Sequence, residues 1–263
     1  MEVNFDPTIF KLGVLQVRWY GMMYLIGYVI ATFLCHRLVK EGLFKIPREK
    51  IDSLVTHMFL GMFLGARITY VLVYGQQQLF DDPLRIFYVW EGGLSFHGAI
   101  IGYAIAGLIF ARKNKIHLFH VWDCVVTVGA QGLFFGRIGN FLNMELFGRV
   151  TDVPWGMIFP GGGPYPRHPS QLYEAFFEGI VLFSILWISR KNISRCGVQY
   201  ALFLIIYGVF RYFIEFFREA DVQMGYYLGG TTTMGQILCI IMSLCGVFAL
   251  WYSLKTQPKI IQA

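Results

Sequence analysis

Met234-Gly235-Gln236-Ile237-Leu238-Cys239-Ile240-Ile241-Met242-Ser243-Leu244-Cys245-Gly246-Val247-Phe248-Ala249-Leu250-Trp251-Tyr252-Ser253-Leu254 runs without one charged side chain. Its length matches the roughly 20 apolar residues that a helix needs to cross a hydrocarbon layer of about 30 Å. Inside lipid no water satisfies backbone N–H and C=O groups, so a spanning segment is either a helix or a strand of a closed barrel. The run lacks the alternation of a barrel strand and reads as a helix.

Working outward, six more apolar runs of comparable length fall at 19–38, 54–74, 94–111, 121–141, 172–188 and 198–217. The expected fold is all-α: an integral membrane bundle of about seven transmembrane helices with a small outer (periplasmic) segment. Of the 263 residues 56% are hydrophobic and only 14% charged, against about 25% charge in soluble domains. Lipid is the surface that asks for so little charge. Pro and Gly are scattered, no internal repeat is found, and residues 1–263 read as a single polytopic domain.

The net charge is +6, but the basic residues form no single stripe of the kind that binds nucleic acid. They alternate between loops instead. Arg37, Lys40, Lys45, Arg48 and Lys50 fill the first loop; Arg112, Lys113 and Lys115 the third; Arg190, Lys191 and Arg195 the fifth; Lys255 and Lys259 the tail. The other loops carry Asp81, Asp82, Glu91, Asp152, Glu219 and Asp221. The positive-inside rule places the first set in the cytoplasm, the N-terminus outside and the C-terminus inside. Glu2 and Asp6 stand where a signal peptide would carry lysines, so no cleaved signal is expected. The five cysteines (Cys35, Cys124, Cys196, Cys239, Cys245) show no CxxC spacing and read as packing residues. Gly61 with Gly65, and Gly132 with Gly136, are small-xxx-small pairs suited to close helix approach.

An arginine at the bilayer centre costs about 2.5–3.5 kcal/mol on insertion scales, which makes each intramembrane charge a functional candidate. Arg67, Arg137 and Arg211 stand within or close to spans. Arg67 reads equally well as a structural ion pair or a site residue. In the sixth span Tyr207, Arg211, Glu215 and Arg218 project within about 80° of one another, a polar stripe in which Arg211 and Glu215 can pair. The fourth span ends in Gly136-Arg137-Ile138-Gly139-Asn140-Phe141-Leu142-Asn143-Met144-Glu145-Leu146-Phe147-Gly148. Arg137 and Asn140 share a face there, with Gly136 and Gly139 leaving space beside them. A guanidinium offers a planar fork matched to phosphate oxygens, so a phospholipid headgroup fits this end of the bundle. A third element, Trp90-Glu91-Gly92-Gly93-Leu94-Ser95-Phe96-His97-Gly98, brings the His97 imidazole to the same membrane level. His168 reads as capping or orienting the fifth helix, and His36, His57, His117 and His120 carry no assigned chemistry.

The run from Gly136 to Gly148 resembles the signature of the bacterial phosphatidylglycerol–prolipoprotein diacylglyceryl transferase family. Similar segments are Arg18-Trp19-Tyr20-Gly21, Trp90 to Gly98, Pro166 to Glu174, Tyr207 to Arg218 and Met234-Gly235-Gln236, in family order along nearly the whole chain. Ala99 and Ala220 depart from the family's usual glycine and proline. The resemblance implies a transferase of the inner membrane that moves diacylglyceryl from phosphatidylglycerol to the lipobox cysteine of a preprolipoprotein, with glycerol phosphate released. It implies Tyr20, His97, Arg137, Asn140, Glu145, Gly148, Tyr207, Arg211 and Glu215 as functional positions.

A thiol titrates near about pH 8.5 and reacts as thiolate, and carbon–oxygen cleavage builds charge on the departing phosphate. Arg137 and Arg211 suit that charge in a low-dielectric site, and His97 suits the base role because histidine titrates near neutrality. Asn140, Tyr20 and Tyr207 then orient the headgroup, and Glu145 and Glu215 hold the arginines. No metal or organic cofactor is implied. The alternative is a membrane transporter of an anionic or lipid substrate, for which midplane polar groups in paired repeats are expected; a non-catalytic scaffold needs no such convergence of ionisable groups.

Overall fold

In the computed structural model, residues 1–13, 15–44, 46–88, 92–193, 195–219, 226–227 and 232–256 are described. Lys45, Trp90, Glu91, Ala220, Asp221 and Lys259, which figure in the sequence reading, lie outside them. Each apolar run forms helix: α1 (Trp19–Lys40), α2 (Ile51–Tyr74), α4 (Phe96–Asn114), α5 (Leu118–Leu142), α8 (Val198–Ile214) and α9 (Met234–Thr256). A short α3 (Gln76–Asp81) follows α2. The fifth run starts as α6 (Ser170–Glu174), passes through a π-helical stretch (Ala175–Val181) and ends as α7 (Leu182–Ser189). Among the described residues, five helices are long and apolar enough to cross a membrane: Trp19–Lys40, Arg48–Tyr74, Leu118–Leu142, Ser170–Asn192 and Met234–Thr256. The expectation of all-α structure gains two small hairpins. β1 (Thr8–Leu12) pairs antiparallel with β2 (Leu15–Arg18) before α1, and β3 (Tyr226–Tyr227) with β4 (Thr232–Thr233) before α9.

The exterior is apolar where a soluble protein would be polar. Ile100, Ile101, Ile105 and Ile109 on α4 and Leu244, Val247 and Phe248 on α9 are all exposed. Such a continuous greasy surface needs lipid to cover it.

Helix pairs are set by small residues and by a few buried polar bonds. A Cβ on Gly61 would meet the Gly102 carbonyl oxygen at 2.7 Å, and one on Gly65 the Gly102 Cα at 2.7 Å, so α2 and α4 touch backbone to backbone. The Gly132–Gly136 pair behaves otherwise. An added Cβ at either meets nothing within 4 Å, so no helix contact requires them; their side of α5 borders open space. The close approaches of α5 lie at Gly139, whose Cβ would meet the Tyr20 ring at 2.8 Å, and opposite Gly179, whose Cβ would meet the Phe134 Cα at 2.7 Å. Asp123, wholly buried on α5, accepts from Gly197 N (2.6 Å) and Tyr200 N (2.9 Å) at the start of α8. Unpaired amides at a helix N-terminus are satisfied in this way, and the register of α8 against α5 is fixed. Gln131 Nε2 donates to Gly27 O at 2.9 Å, tying α5 to α1.

Antiparallel alternation gathers the starts of α1, α4, α6 and α9 with the ends of α2, α5 and α8. Residues 143–169 fold over this end. Gly148 bridges Arg218, Val150 and Met157 bridge Arg167, and Glu2 bridges Ile158.

Candidate active site

Under that cover the ends of α5 and α8 and the α6–π turn bring three arginines onto three buried glutamates. Arg137 Nε lies 2.9 Å from Glu174 Oε2 and its Nη2 3.4 Å from Glu178 Oε2. Arg211 Nη1 lies 2.5 Å from Glu174 Oε1, and its Nη2 3.1 Å from Glu215 Oε2. Arg218 reaches Glu174 Oε1 at 2.7 Å and Glu215 Oε2 at 3.4 Å. Glu174 thus bridges all three guanidinium groups. Thr233 Oγ1 donates to Glu215 Oε1 at 3.1 Å, adding the start of α9 to the cluster.

The carboxylates form the floor and the arginines the exposed face. The Glu174 and Glu178 side chains have no solvent exposure, whereas Arg137, Arg211 and Arg218 keep 18%, 16% and 13%. In a low-dielectric surrounding the ion pairs offset the cost of burying each charge. Charge pairing is complete but hydrogen bonding is not: Glu174 Oε2, Glu178 Oε1, Glu215 Oε2 and Arg218 Nε lie within ion-pair distance of an opposite charge yet make no aligned hydrogen bond among the described residues. Arg137 Nη1 has no partner among them either. The three arginine side chains nevertheless keep accessible surface, and an anion can meet the cluster there.

The π stretch makes the carboxylate floor possible. Gly179 removes the side chain that would collide with Phe134 on α5, so the wide turn lies against α5 three residues before Arg137. Single π turns inside helices occur often at functional sites. Glu174 and Glu178 are the site residues that the sequence reading missed. The signal was available, because two acids four residues apart within the apolar run 172–188 are as anomalous as an arginine.

The other candidates distribute unevenly. Arg211 and Glu215 pair as expected from their spacing. Among the contacts of the described residues Glu145 is not seen to hold an arginine: its Oε1 accepts from Asn140 Nδ2 at 2.8 Å, and Arg137 is held by Glu174 and Glu178. The reason is the loop after α5. Met144 and Leu146 take φ of 56° and 58°, a left-handed conformation rare outside glycine, and the chain turns back so that Glu145 N bonds Asn140 O at 3.1 Å. Gln171 Nε2 and Ser170 Oγ lock this loop through Glu145 O (2.7 Å) and Leu146 O (3.1 Å). Gly148 is buried where a Cβ would meet the His168 Cβ at 2.9 Å, so the signature's last glycine is required by packing. Tyr20 lies against Gly139 with its hydroxyl 3.1 Å from that of Tyr24. Tyr207 stacks on Phe203 one turn before Arg211. Gly139 is filled by Tyr20 and leaves no space beside Arg137; Gly136 does.

His97 sits exposed in the first turn of α4. Its ring meets Phe96 edge-on, and among the described residues it makes no hydrogen bond to the arginine cluster. His168 orients the start of α6, as expected: Nδ1 lies 3.1 Å from the Tyr173 hydroxyl. Among the described residues Arg67 is neither half of an ion pair nor part of the cluster. Its five N–H groups all go to backbone carbonyls: Nε to Ile86, Nη1 to Gly92 and Gly93, Nη2 to Arg85 and Tyr88, at 2.5–3.2 Å. It clamps the loop that leads to Ser95, whose hydroxyl caps α4 at Gly98 N.

Comparison with known proteins identifies the family. Residues 7–252 match the family model described as prolipoprotein diacylglyceryl transferase. The phosphatidylglycerol–prolipoprotein diacylglyceryl transferase of Oleidesulfovibrio alaskensis is 48% identical over 257 residues, 97% of this chain and 96% of the relative. That of Mannheimia succiniciproducens is 50% identical over 244 residues (92% and 91%), and that of Photobacterium profundum 47% over 254 (97% and 95%). With a match across nearly its whole length, an apolar multi-helix body and a paired arginine cluster at one end, the chain belongs to the prolipoprotein diacylglyceryl transferase family.

Proposed function

We propose that this membrane enzyme transfers the diacylglyceryl group of phosphatidylglycerol to the lipobox cysteine thiol of a preprolipoprotein. The observation that carries the reading is the arginine face over buried carboxylates, in a chain whose relatives bear the name of that reaction. The thiolate sulfur forms a bond to the terminal glyceryl carbon while the carbon–oxygen bond to phosphate breaks; glycerol phosphate leaves with the electron pair, and the thiol proton passes to a base. Arg137 and Arg211 take the charge that develops on the leaving phosphate, which a preorganised low-dielectric site stabilises most. Tyr20, Asn140 and Tyr207 orient the headgroup. Glu145 acts through Asn140, Gly148 through the fit of the covering loop, and Glu215 through Arg211. His97, exposed at the start of α4, is the base toward which the thiol enters.

The single polytopic domain crosses the bacterial cytoplasmic membrane seven times, with α4 and α8 completing the five longer spans. Its N-terminus lies outside, its C-terminus in the cytoplasm and the candidate site toward the outer face. Charge alternation between loops supports this orientation, and the exposed isoleucines of α4 support its spanning role. Cysteines placed at Asp82 and Lys113 in a cysteine-free background label oppositely with an impermeant thiol reagent if it is right; equal labelling from outside rejects it.

The function is tested with purified protein, phosphatidylglycerol and a lipobox peptide, the lipidated peptide being the product read. His97→Gln in the same assay loses about 10²–10⁴ in rate if His97 is the base. The deficit shrinks toward pH 9 as thiolate forms unaided. A deficit that stays flat from pH 6 to 9 removes His97 from that role.

A further inference from the structure

The end of the bundle opposite the arginine cluster holds a second charged feature. Where α1 ends and the chain turns toward α2 lies a groove of about 950 Å³. Part of its lining is apolar: Val29 and Phe33 line it and are exposed to the surroundings of the bundle. Another part is cationic, with Arg37, Lys40 and Arg48. Val29, Phe33 and Lys40 follow one another along the same side of α1 at intervals of four and seven, so the apolar strip runs straight into the charged one.

The charges are not all spent internally. Glu41 is claimed twice, by Arg37 Nε at 3.0 Å and by Arg190 at 3.0–3.2 Å. Although burial alone would push its carboxyl up, the hydrogen bonds from Arg37 and Arg190 hold it below the usual range, so it remains a carboxylate. His36 is paired with Asp52 at 2.7 Å. Lys40 and Arg48 have no ion-pair or hydrogen-bond partner among the described residues, and both are exposed. Two spare cations beside an apolar strip call for an anion with a hydrocarbon tail.

We propose that this groove binds one anionic glycerophospholipid from the leaflet opposite the candidate active site, its phosphate on Lys40 and Arg48 and an acyl chain along Val29 and Phe33. The placement rests on the reading that α1 crosses the bilayer. Basic pockets at the cytoplasmic ends of transmembrane helices bind such headgroups. Orientation by positive loops requires cations near the membrane, but it requires no groove and no apolar wall. A free inorganic anion would use the cations and leave Val29 and Phe33 without a role. The basic leading segment of a signal peptide is repelled by the same charges.

Full-length protein in neutral detergent, titrated with phosphatidylserine or phosphatidylcholine and read by native mass spectrometry, tests the assignment. Phosphatidylserine is anionic but is not the proposed donor. Wild type should retain one phosphatidylserine at least tenfold more tightly than phosphatidylcholine. Lys40→Gln/Arg48→Gln should lose that preference, while Arg112→Gln/Lys113→Gln, which removes two cations from the same end, should keep it. If the first double variant unfolds, Lys40→Gln alone should weaken retention severalfold. Wild-type retention by the Lys40/Arg48 variants overturns the proposal. So does displacement of the lipid by inorganic phosphate at equal concentration, which would make the groove a free-anion site. Retention is read without turnover, so a negative result leaves the transferase reading standing, and an inactive enzyme that still retains the lipid leaves this one standing.

Discussion

Arg67 and Arg137 are both arginines in apolar helices, and they are neutralised in opposite ways. Arg67 is 5% exposed and gives all five N–H groups to carbonyl oxygens. Nothing about it remains for a ligand, so its charge is consumed in holding a loop. Arg137 faces two carboxylates on one edge and keeps Nη1 for something else, with 18% of its side chain still accessible. A buried cation that is saturated belongs to the architecture; one that is balanced in charge but short of hydrogen bonds belongs to a site. That distinction separates the two arginines better than depth in the membrane does.

The comparison breaks most visibly at Glu174. Among the described residues it is the one carboxylate that touches all of Arg137, Arg211 and Arg218, so Glu174→Gln leaves three guanidinium groups short of one charge. Removing one partner of a buried pair costs about 3–5 kcal/mol. The expected outcome is a strongly lowered apparent Tm in detergent, by more than for Glu215→Gln, since Glu215 pairs with two of the arginines, Arg211 and Arg218, rather than three. Equal shifts for the two variants would show that charge count, not bridging, holds the cluster.

Lysine substitutions then separate the two arginines directly. A lysine has three donors where arginine has five, so Arg67→Lys leaves at least two buried carbonyls unpaired at about 1–3 kcal/mol each. Its expected signature is a fall in Tm with the remaining folded enzyme near normal kcat. Arg137→Lys keeps charge for Glu174 and Glu178 but loses the planar fork. Activity should fall at least tenfold, about 1.4 kcal/mol of transition-state stabilisation, with a smaller change in Tm. Reversal of these signatures, with Arg67→Lys impairing turnover and Arg137→Lys only stability, would break the distinction.

The same contrast explains what the sequence made legible. Apolar length located each long helical run within a few residues, because a spanning run is long and chemically uniform, while the short α3 (Gln76–Asp81) carried no such signal. Arg211 and Glu215 were legible as a pair because i, i+4 spacing on one helix is local. The partners of Arg137 were not, since Glu174 and Glu178 reach it only through the π turn and the Gly179 contact with α5. Arg67 was the least legible. Its partners are carbonyl oxygens, which every residue has, so no residue identity announces them. The partner of Glu145 was not legible because two left-handed residues turn the chain back onto Asn140, and neither Met144 nor Leu146 advertises that conformation.

The smallest effect lies at the rim of the cover, where His168 is a polar side chain with a structural task and partial exposure. Trp155 Nε1 can only donate, so its 2.7 Å bond makes the Tyr173 hydroxyl an acceptor and frees that hydroxyl's own proton for His168 Nδ1. Nδ1 accepts only in the neutral imidazole. Burial lowers the His168 pKa below its ordinary value, with Asp152 opposing weakly. The unfolded chain therefore binds a proton here at a higher pH than the folded one. Stability from this group is complete above about pH 6.5 and is lost as the pH falls through that value toward the lower folded pKa. The apparent Tm of wild type should drop more between pH 7.5 and 5.5 than that of His168→Asn, which carries no titrating ring. The excess should be small, because solvent screens a partly exposed group. An identical slope in both proteins would assign any acid sensitivity of the cover to its carboxylates, with Arg167–Glu219 at 2.5 Å the first pair to examine.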